Sequence, residues 1–492
     1  MKRLFFCLAV LGVILTGCSK NDDGESDKPN NNGNEQPENP NEPELPELPA
    51  LPDPDDVCSA MDDLNFMAYC YENFDVNKDG KVSVTEANAA KEIYTTSSKW
   101  VSVKGIERFP NIEILSLNGS SITELDLRYN LKLKSISGYS SLLTTVLLPN
   151  TLTSIEKSAF KECASLIEIH FPASLTSIGV NAFYGCSSLT EINFPASLTS
   201  IGGSAFRGCS SLVEIHLSDN LTSIGEYAFS GCSSLTEINF PASLTLIGGS
   251  AFRGCSSLVE IHLSDNLTSI GEYAFSGCSS LTEINFPASL TSIRGFAFSG
   301  CSSLVEIHLP DNLTSIGERA FWSCSSLTEI HLPASLTWIG GSAFSGCSNL
   351  TKINLPDNLT SIGKTAFSGC SSLTEIHFPA SLTSIGEYAF SGCSSLTEIN
   401  LPASLASIGG SAFSGCSSLT EINFPASLTS IGESAFSFCS SLTEVICYAL
   451  VPPKLNGFSN STIENLYVPA ESIQAYKDSS WAIYFKNILP IE

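Results

Sequence analysis

A repeating unit dominates this chain, and one copy reads Leu189-Thr190-Glu191-Ile192-Asn193-Phe194-Pro195-Ala196-Ser197-Leu198-Thr199-Ser200-Ile201-Gly202. Ala205-Phe206 and Gly208-Cys209-Ser210-Ser211 follow, and the whole pattern returns after 23 residues. The Ala-Phe dipeptide occurs thirteen times at this spacing, from Ala159 to Ala435. A fixed short period with one apolar skeleton means that each unit must bury its apolar face against its neighbours. The sequence therefore predicts a solenoid.

Each unit contains one clear strand signal, the pattern Leu-x-x-Ile-x-Phe/Leu-Pro. With side chains alternating at period two, Ile192 and Phe194 point inward while Glu191 and Asn193 point to solvent. Pro195 lacks an N–H donor and ends the strand. We expect a mainly β solenoid with short turns and 3-10 segments, one strand-bearing coil per 23 residues, and a parallel ladder between coils.

The rest of each unit supplies the opposite wall of the core and the bends. Gly202 and Gly208 mark the bends, and four apolar residues form the wall: Leu198, Ile201, Ala205 and Phe206.

Thirteen of the 18 cysteines follow the repeat, from Cys163 to Cys439. Because Cys209 falls between Phe206 and Leu212, we expect it to lie in the core as a small apolar residue. Thirteen is an odd number, and uniform pairing would break the symmetry of the repeat, so free buried thiols are predicted. The pairing of Cys58, Cys70 and Cys447 stays open.

This skeleton resembles the 23-residue leucine-rich repeat of the BspA-like, or Treponema-type, surface proteins. The resemblance covers residues 151–446. Residues 98–150 carry the same skeleton at a shorter spacing of 10 to 11 and are predicted to cover the first full coil. Residues 447–492 are predicted to form a C-terminal cap, with a helix near Glu471 to Lys477 followed by the aromatic residues Trp481, Tyr484 and Phe485.

Residues 1–18 have the order of an export signal: basic residues, an apolar run, then Leu15-Thr16-Gly17-Cys18. The small residues before Cys18 resemble a bacterial lipobox, which implies that Cys18 is lipidated and becomes the mature N-terminus. An ordinary secretory signal with a chance cysteine is the alternative. Acidic residues shortly after Cys18 resemble the surface-export signal of Bacteroidetes lipoproteins. Residues 19–56, rich in Pro, Asn and Glu, are predicted to be a disordered tether, so we expect a lipid-anchored protein of the outer membrane, exposed at the cell surface.

Residues 57–97 contain a segment with the spacing of a calcium loop. Oxygen-bearing side chains stand at loop positions 1, 3, 5, 9 and 12, and Gly80 at position 6 permits a sharp turn. The predicted ligands are Asp75, Asn77, Asp79, Lys81 through its carbonyl, Ser83 and Glu86. The segment resembles an EF-hand or the related dockerin-type loop. The alternative is a tight turn with incidental acids, and no other cofactor is expected.

Two columns of polar residues are predicted on the open face of the strands. The first is acidic and is interrupted by Lys352: Glu168, Glu191, Glu214, Glu237, Glu260, Glu283, Glu306, Glu329, Glu375, Glu398, Glu421 and Glu444. The second alternates Asn with the six histidines: His170, His216, His262, His308, His331 and His377. Catalysis needs one differentiated site where a nucleophile, a base and an orienting group converge. A uniform ladder offers no such site, so no catalytic residue is predicted. Cys and His also lie on different walls, which argues against a zinc site that combines them.

The composition narrows the choice of partners. Fifty acids against 24 bases give a net charge of −26, which disfavours nucleic acid and anionic membrane surfaces. Membrane contact is expected only through the lipid anchor. Exposed Trp and Arg are common anchors of protein interfaces, and Trp322 and Trp338 depart from the repeat where other copies carry mostly Ser or Arg.

The resemblance implies binding of extracellular proteins, as in adhesins for host matrix proteins or other cells. The Glu and His columns and the two Trp residues are the candidate partner-binding residues. Two alternatives stay open: a glycan-binding or glycan-processing accessory protein, and a coat or stalk component without a specific ligand.

Overall fold

A computed structural model describes residues 45–491, apart from residues 96, 139, 456–457 and 459–462. The predicted export signal with Cys18, and most of the predicted tether, lie outside the described residues. Residues 48–492 form one compact unit. Within the described part, no helix combines the length and the apolar character that crossing a bilayer requires.

The chain folds into a parallel β-solenoid of about 17 turns, as the repeat predicts. Each full coil carries two strands where the sequence indicated one. The first is the predicted three-residue strand, such as Glu191–Asn193, and the second is a two-residue strand, such as Ser200–Ile201. Equivalent strands of successive coils stack in parallel and form two faces, which we call face A and face B.

Face A contains the strands with the Glu and His/Asn columns. Its strands are Glu124–Asp126, Thr145–Leu147, Glu168–His170, Glu191–Asn193, Glu214–His216, Glu237–Asn239, Glu260–His262, Glu283–Asn285, Glu306–His308, Glu329–His331, Lys352–Asn354, Glu375–His377, Glu421–Phe424, Glu444–Cys447, Ile463–Val468 and Phe485–Pro490. Isolated bridges at Asn400 connect His377 to Asn423.

Face B contains the shorter strands. They are Ser154–Ile155, Ser177–Ile178, Ser200–Ile201, Ser223–Ile224, Leu246–Ile247, Ser269–Ile270, Ser292–Ile293, Ser315–Ile316, Trp338–Ile339, Ser361–Ile362, Ser384–Ile385, Ser407–Ile408, Ser430–Ile431 and Lys454–Leu455.

Neighbouring coils are in register, so each residue lies beside its own counterpart. Glu214 pairs with Glu191, and His216 pairs with Asn193. In the core, Phe206 stacks on Phe229 with ring centroids 5.3 Å apart and planes 4° apart. The column of phenylalanines continues through the coils as parallel rings, and these rings are buried. Stacked aromatic burial is therefore a large stabilising term in every coil.

The repeat cysteines are free and buried, as predicted. The thiol of Cys209 donates to the carbonyl oxygen of Phe183 at 3.3 Å, and the same contact recurs coil after coil. Burial raises the pKa of Cys209 to about 12, because a thiolate in this apolar column would lose its hydration. Cys58, Cys70 and Cys447 are also free and buried.

Hydroxyl groups connect the coils at the surface. Ser197 donates to the carbonyl of Leu175 at 2.6 Å, and Thr199 donates to the carbonyl of Thr176 at 3.2 Å. These hydrogen bonds join residues 22 and 23 positions apart and so tie each coil to the one before it.

The two repeat glycines have different roles. Gly208 has a φ of +77°, a conformation that glycine adopts most readily. Gly202 is required by close packing instead: an added Cβ would lie 2.7 Å from the carbonyl carbon of Gly179 in the preceding coil.

The short N-terminal repeats alternate between two stacks of strands. Ile114–Leu117 pairs with Glu92–Thr95 on one side and with Ser135–Ser137 on the other. Glu124–Asp126 pairs with Thr145–Leu147, which leads into face A. The spacing of 10 to 11 in the sequence is thus the distance between two strands of one coil.

Three helices and four 3-10 segments lie at the ends of the described chain. The helices are α1 (Leu64–Phe74), α2 (Val84–Ala89) and α3 (Ile473–Lys477). The 3-10 segments are Val57–Ala60, Ile106–Arg108, Ala470–Ser472 and Ser480–Ile483.

The C-terminal end of the solenoid is closed by aromatic side chains. Trp481 is fully buried, and its indole N–H donates to the carbonyl of Pro453 at 2.9 Å. Tyr476, from α3, donates to the carbonyl of Ala449 at 2.8 Å. The predicted helix and aromatic residues therefore cover the last coil, which protects its core and strand edges.

Candidate functional site

The predicted calcium loop connects α1 to α2 and folds around its own backbone. Asp75 accepts hydrogen bonds from the amides of Asp79 and Gly80, at 3.2 and 2.9 Å. Asn77 accepts from the amide of Asp79, and Asp79 accepts from the amide of Lys81. Lys78 and Gly80 have positive φ angles of 59° and 84°, which produce the sharp turn.

Glu86 and Ser83 close the loop at the start of α2. One oxygen of Glu86 accepts from the amides of Val76 and Asn77, and the other accepts from the amide and hydroxyl of Ser83. The hydrogen bonds from Ser83 hold the pKa of Glu86 below its usual value. The Lys81 side chain is directed away and forms an ion pair with Asp53 at 2.8 Å.

The oxygen donors of this loop are of the type that calcium prefers. Asp75, Asn77, Asp79 and Glu86 would supply side-chain oxygens, and bound calcium would contribute charge neutralisation and rigidity. Within the described residues, Asp75, Asp79 and Glu86 do not bring three carboxylate oxygens within 4.8 Å of one another. The donor set fits calcium, and the loop has to tighten to hold it.

A buried carboxylate that the sequence analysis missed supports the loop from outside. Asp56 accepts from the amides of Cys58 and Val82 at 3.0 and 3.1 Å and from the hydroxyl of Tyr71 at 2.7 Å. Asp56 falls at the end of the predicted tether, yet it is only 5% exposed. The last residues of that segment are therefore part of the folded unit.

Face A presents the two predicted polar columns to solvent. Where the strand carries both residues, the His or Asn side chain contacts the glutamate two residues before it. Nε2 of His216 lies 3.0 Å from Oε1 of Glu214, and Asn193 donates to Glu191 at 2.7 Å. These contacts partly compensate the repulsion between glutamates that stand side by side in adjacent coils. Lys352 interrupts the acidic column and lies 3.9 Å from Glu375.

A second surface carries aromatic and basic side chains at the residues directly before and directly after the Ala-Phe dipeptide. We call this surface the aromatic-basic patch, and its members are Arg253, Tyr273, Phe296, Arg319 and Trp322. The guanidinium of Arg253 lies 5.4 Å from the Tyr273 ring centroid, and Tyr273 stacks on Phe296 with centroids 4.4 Å apart. Arg319 covers the other side of Phe296 at 5.2 Å. Four members of the patch, Arg253, Tyr273, Phe296 and Arg319, thus form a continuous stack across four coils.

The two tryptophans lie in different parts of the coil. Trp322 comes three residues after Arg319 and is 44% exposed, while Trp338 lies on face B and is 48% exposed. Tyr273 and Arg294 both line a shallow groove of about 660 Å³. Phe296 and Arg319, two further departures from the repeat, are in direct contact. Lys352 lies apart from them on face A.

The coils define this protein as a leucine-rich-repeat solenoid. The profile described as "BspA type Leucine rich repeat region" matches in six copies over residues 132–259, 246–374 and 360–482. The chain belongs to this family, which confirms the resemblance found in the sequence.

Solved structures of bacterial proteins are similar to this chain. A leucine-rich repeat protein from Bacteroides ovatus is 34% identical, with a TM-score of 0.55, over 69% of this chain and 88% of the other. A leucine rich cell surface protein from Faecalibacterium prausnitzii is 27% identical, with a TM-score of 0.37, over 70% of this chain and 84% of the other. A comparison with curated proteins gives no match.

Proposed function

We propose that this protein is a non-enzymatic binding scaffold whose solenoid docks extracellular proteins at the bacterial surface. The chain belongs to the BspA-type leucine-rich repeat family, and its coils form a repeat scaffold. The observation that carries the proposal is the aromatic-basic patch, which combines exposed Arg and Trp with half-buried Tyr and Phe on a chain with a net charge of −26. Such residues are enriched among the anchors of protein interfaces.

The residue before the Ala-Phe dipeptide has the same backbone conformation in all thirteen full coils, and the patch differs from the other coils in its side chains. Tyr273, Phe296 and Arg319 have φ angles of 57°, 56° and 53°, a left-handed region that is unfavourable for side chains with a Cβ. Most other coils place Ser at this position. Tyr273 and Phe296 are half-buried and Arg319 is exposed, so a partner would meet bulky side chains at this position where most other coils offer Ser.

Charge complementarity indicates the kind of partner. The arginines of the patch stand out from an acidic surface, so a partner with exposed carboxylates would be attracted to the patch and repelled by face A. The partner would then bind in one orientation, with its carboxylates towards the patch and away from face A.

The direct test is a saturable-binding assay of the protein on matrix proteins, mucins and bacterial surfaces. Tyr273→Ala and Trp322→Ala should each weaken binding at least tenfold. Tyr388→Ala is the control, because Tyr388 occupies the same repeat position and has the same backbone conformation as Tyr273 and is itself 44% exposed, but stands outside the patch. Absence of saturable binding to every surface in the panel would contradict the proposal. Binding on a glycan array that depends on Trp322 and Trp338 would favour the glycan-binding alternative instead.

We further propose that Cys18 carries a lipid that anchors the protein in the outer membrane, with the scaffold exposed at the cell surface. The support is the Leu15-Thr16-Gly17-Cys18 motif after an apolar run. Metabolic labelling with a palmitate analogue should label the wild-type protein in its native host, and Cys18→Ala should abolish the label. A label that persists in the variant would contradict the anchor.

Calcium in the Asp75 to Glu86 loop is a separate proposal, with a structural role at the N-terminal end of the solenoid. Its support is the set of oxygen donors at the correct spacing between two helices. The loop contains a single candidate site, so a structural role is favoured over a sensing one.

A further inference from the structure

Two adjacent coils of face A both carry a histidine in the His/Asn column. Along the His/Asn column each histidine is flanked by Asn in the next coil, until His308 is followed directly by His331. Strands Glu306–His308 and Glu329–His331 pair in register, so the two histidines lie side by side. Their ring centroids are 5.6 Å apart and their planes differ by 24°.

A carboxylate completes this cluster. Nε2 of His308 lies 2.9 Å from Oε1 of Glu306. One ligand atom each from Glu306, His308 and His331 lies within 4.8 Å of the other two, and this is the one such group of three in the part of the chain that the structure describes. All three residues are exposed, so the cluster is open to ions from solution.

The donor set suits a borderline-soft divalent cation. Two imidazole nitrogens and one carboxylate oxygen are ligands typical of zinc, with metal-to-ligand distances of about 2.0 to 2.2 Å. Ligand atoms of a tetrahedral zinc site are about 3.3 Å apart. The three side chains therefore have to close by at most about 1.5 Å, which rotation of exposed side chains allows. Calcium and magnesium prefer all-oxygen sites.

The surroundings of the cluster are negative on one side and positive on the other. Oε1 of Glu329 lies 3.4 Å from Nε2 of His331. The Glu329 carboxylate can therefore serve as a fourth ligand or accept a supporting hydrogen bond. Lys352 is the register partner of Glu329, and its ammonium lies near Glu375 in the next coil. The acidic column thus favours a cation at Glu306 and Glu329, and Lys352 limits that attraction on the C-terminal side.

We propose that Glu306, His308 and His331 form a surface site for zinc or a similar divalent transition-metal cation, with water in the remaining positions. The site is distinct from the predicted calcium loop and from the aromatic-basic patch. Its origin is the register of the solenoid, which places two successive histidines of the column next to each other.

The test is a calorimetric titration with Zn²⁺ of the full chain, purified in detergent without a polyhistidine tag and with calcium in the buffer. We expect a stoichiometry of one, and a loss of at least tenfold in affinity for His308→Ala and for His331→Ala. His262→Ala is the matched control: His262 has the same contact with Glu260, at 3.1 Å, but is flanked by Asn239 and Asn285. It should leave the titration unchanged.

A gain-of-site variant tests the role of adjacency. Asn239→His places a histidine between His216 and His262 and should raise the stoichiometry from one to two. The proposal is overturned if the wild-type chain gives no saturable zinc binding, or if His308→Ala and His331→Ala bind like the wild type. It is equally overturned if His262→Ala weakens binding as much as they do, or if Asn239→His adds no site.

Discussion

The ring of Phe252 lies parallel to the ring of Phe275, with centroids 5.4 Å apart and planes 7° apart. Both rings are fully buried, although they belong to different coils. Phe275 stacks in the same way on Phe298 at 5.4 Å. Each phenylalanine therefore contributes to two interfaces between coils, which explains why a single unit cannot be stable by itself.

Phe275→Ala should lower the free energy of unfolding by about 3 to 5 kcal/mol, because it removes a buried ring and leaves a cavity between two coils. Urea denaturation followed by circular dichroism measures this change. Phe438→Ala serves as the control, since Phe438 is 64% exposed, and it should change stability by less than about 0.5 kcal/mol. Equal effects of the two substitutions would contradict the stacked core.

Gly248→Ala should destabilise the solenoid by about 1 to 3 kcal/mol, as overpacking does in other cores. An added Cβ would lie 2.6 Å from the carbonyl carbon of Gly225 in the preceding coil. Gly249→Ala is the neighbouring control, because its nearest contact would be the carbonyl oxygen of Glu272 at 3.4 Å. The melting temperature of both variants checks the difference, and a Gly248→Ala protein as stable as Gly249→Ala would show that the coils are more widely spaced.

Arg294 shows how the fold tolerates a side chain at this position. It replaces the glycine that corresponds to Gly248 two coils earlier. Its amide lies 3.3 Å from the carbonyl of Ile270, compared with 2.9 Å between Gly248 and Ile224. The coils therefore still pair at Arg294, and we expect Gly248→Ala to weaken the stack without preventing folding.

The protein should unfold in alkali because its thiols are buried. Burial raises the pKa of Cys209, Cys255 and Cys324 to about 12, from an ordinary value of 9.0. The unfolded chain loses thiol protons at lower pH than the native chain, so stability is complete below pH 9 and falls as the pH rises towards 12. A pH titration of the melting temperature measures this effect.

Reaction with a thiol reagent provides an independent check of the same burial. In the native protein at pH 8 the repeat thiols should react slowly, and they should all react in denaturant. Fast labelling of the native repeat cysteines would contradict their place in the core.

Calcium should raise the melting temperature of the wild-type chain, and Asp75→Asn should remove most of this increase. Asp75 is the first predicted ligand, and the substitution keeps an oxygen that can accept one amide hydrogen bond. Glu72→Gln changes the charge equally at an exposed position of α1 and should leave the calcium effect intact. Differential scanning calorimetry with calcium and with a chelator distinguishes these outcomes, and an unchanged wild-type melting temperature would contradict the calcium proposal.

The sequence predicted most of the fold because the repeat determines which side chains are buried. Ile192, Phe206 and Cys209 lie in the core as expected, and Glu191 faces solvent. The strand at Ser200–Ile201 was missed because two residues are too few for a period-two signal. The sequence also did not reveal that successive short N-terminal repeats belong to two different stacks of strands, because the repeats of both stacks have the same apolar pattern.

The candidate sites were harder to predict from the sequence than the fold, because they depend on contacts between residues that are far apart in the chain. Asp56 was assigned to the tether because its neighbours are proline and acidic residues, whereas its burial depends on contacts with Val82 and Tyr71. The succession of His308 and His331 is visible in the sequence. That the two side chains lie next to each other depends on the register of two strands, which brings residues 23 positions apart into contact.

The register of the coils also determines how the length of this protein can change. Residues 201–245 are identical to residues 247–291, and the contact of Arg207 with Tyr227 at 5.1 Å is repeated by Arg253 and Tyr273 at 5.4 Å. Removal or insertion of a 46-residue block would leave every hydrogen bond at the junction with an equivalent partner. Recombination within the gene can therefore change the length of the solenoid in steps of two coils, about 10 Å. Both ends of the folded unit keep the same caps.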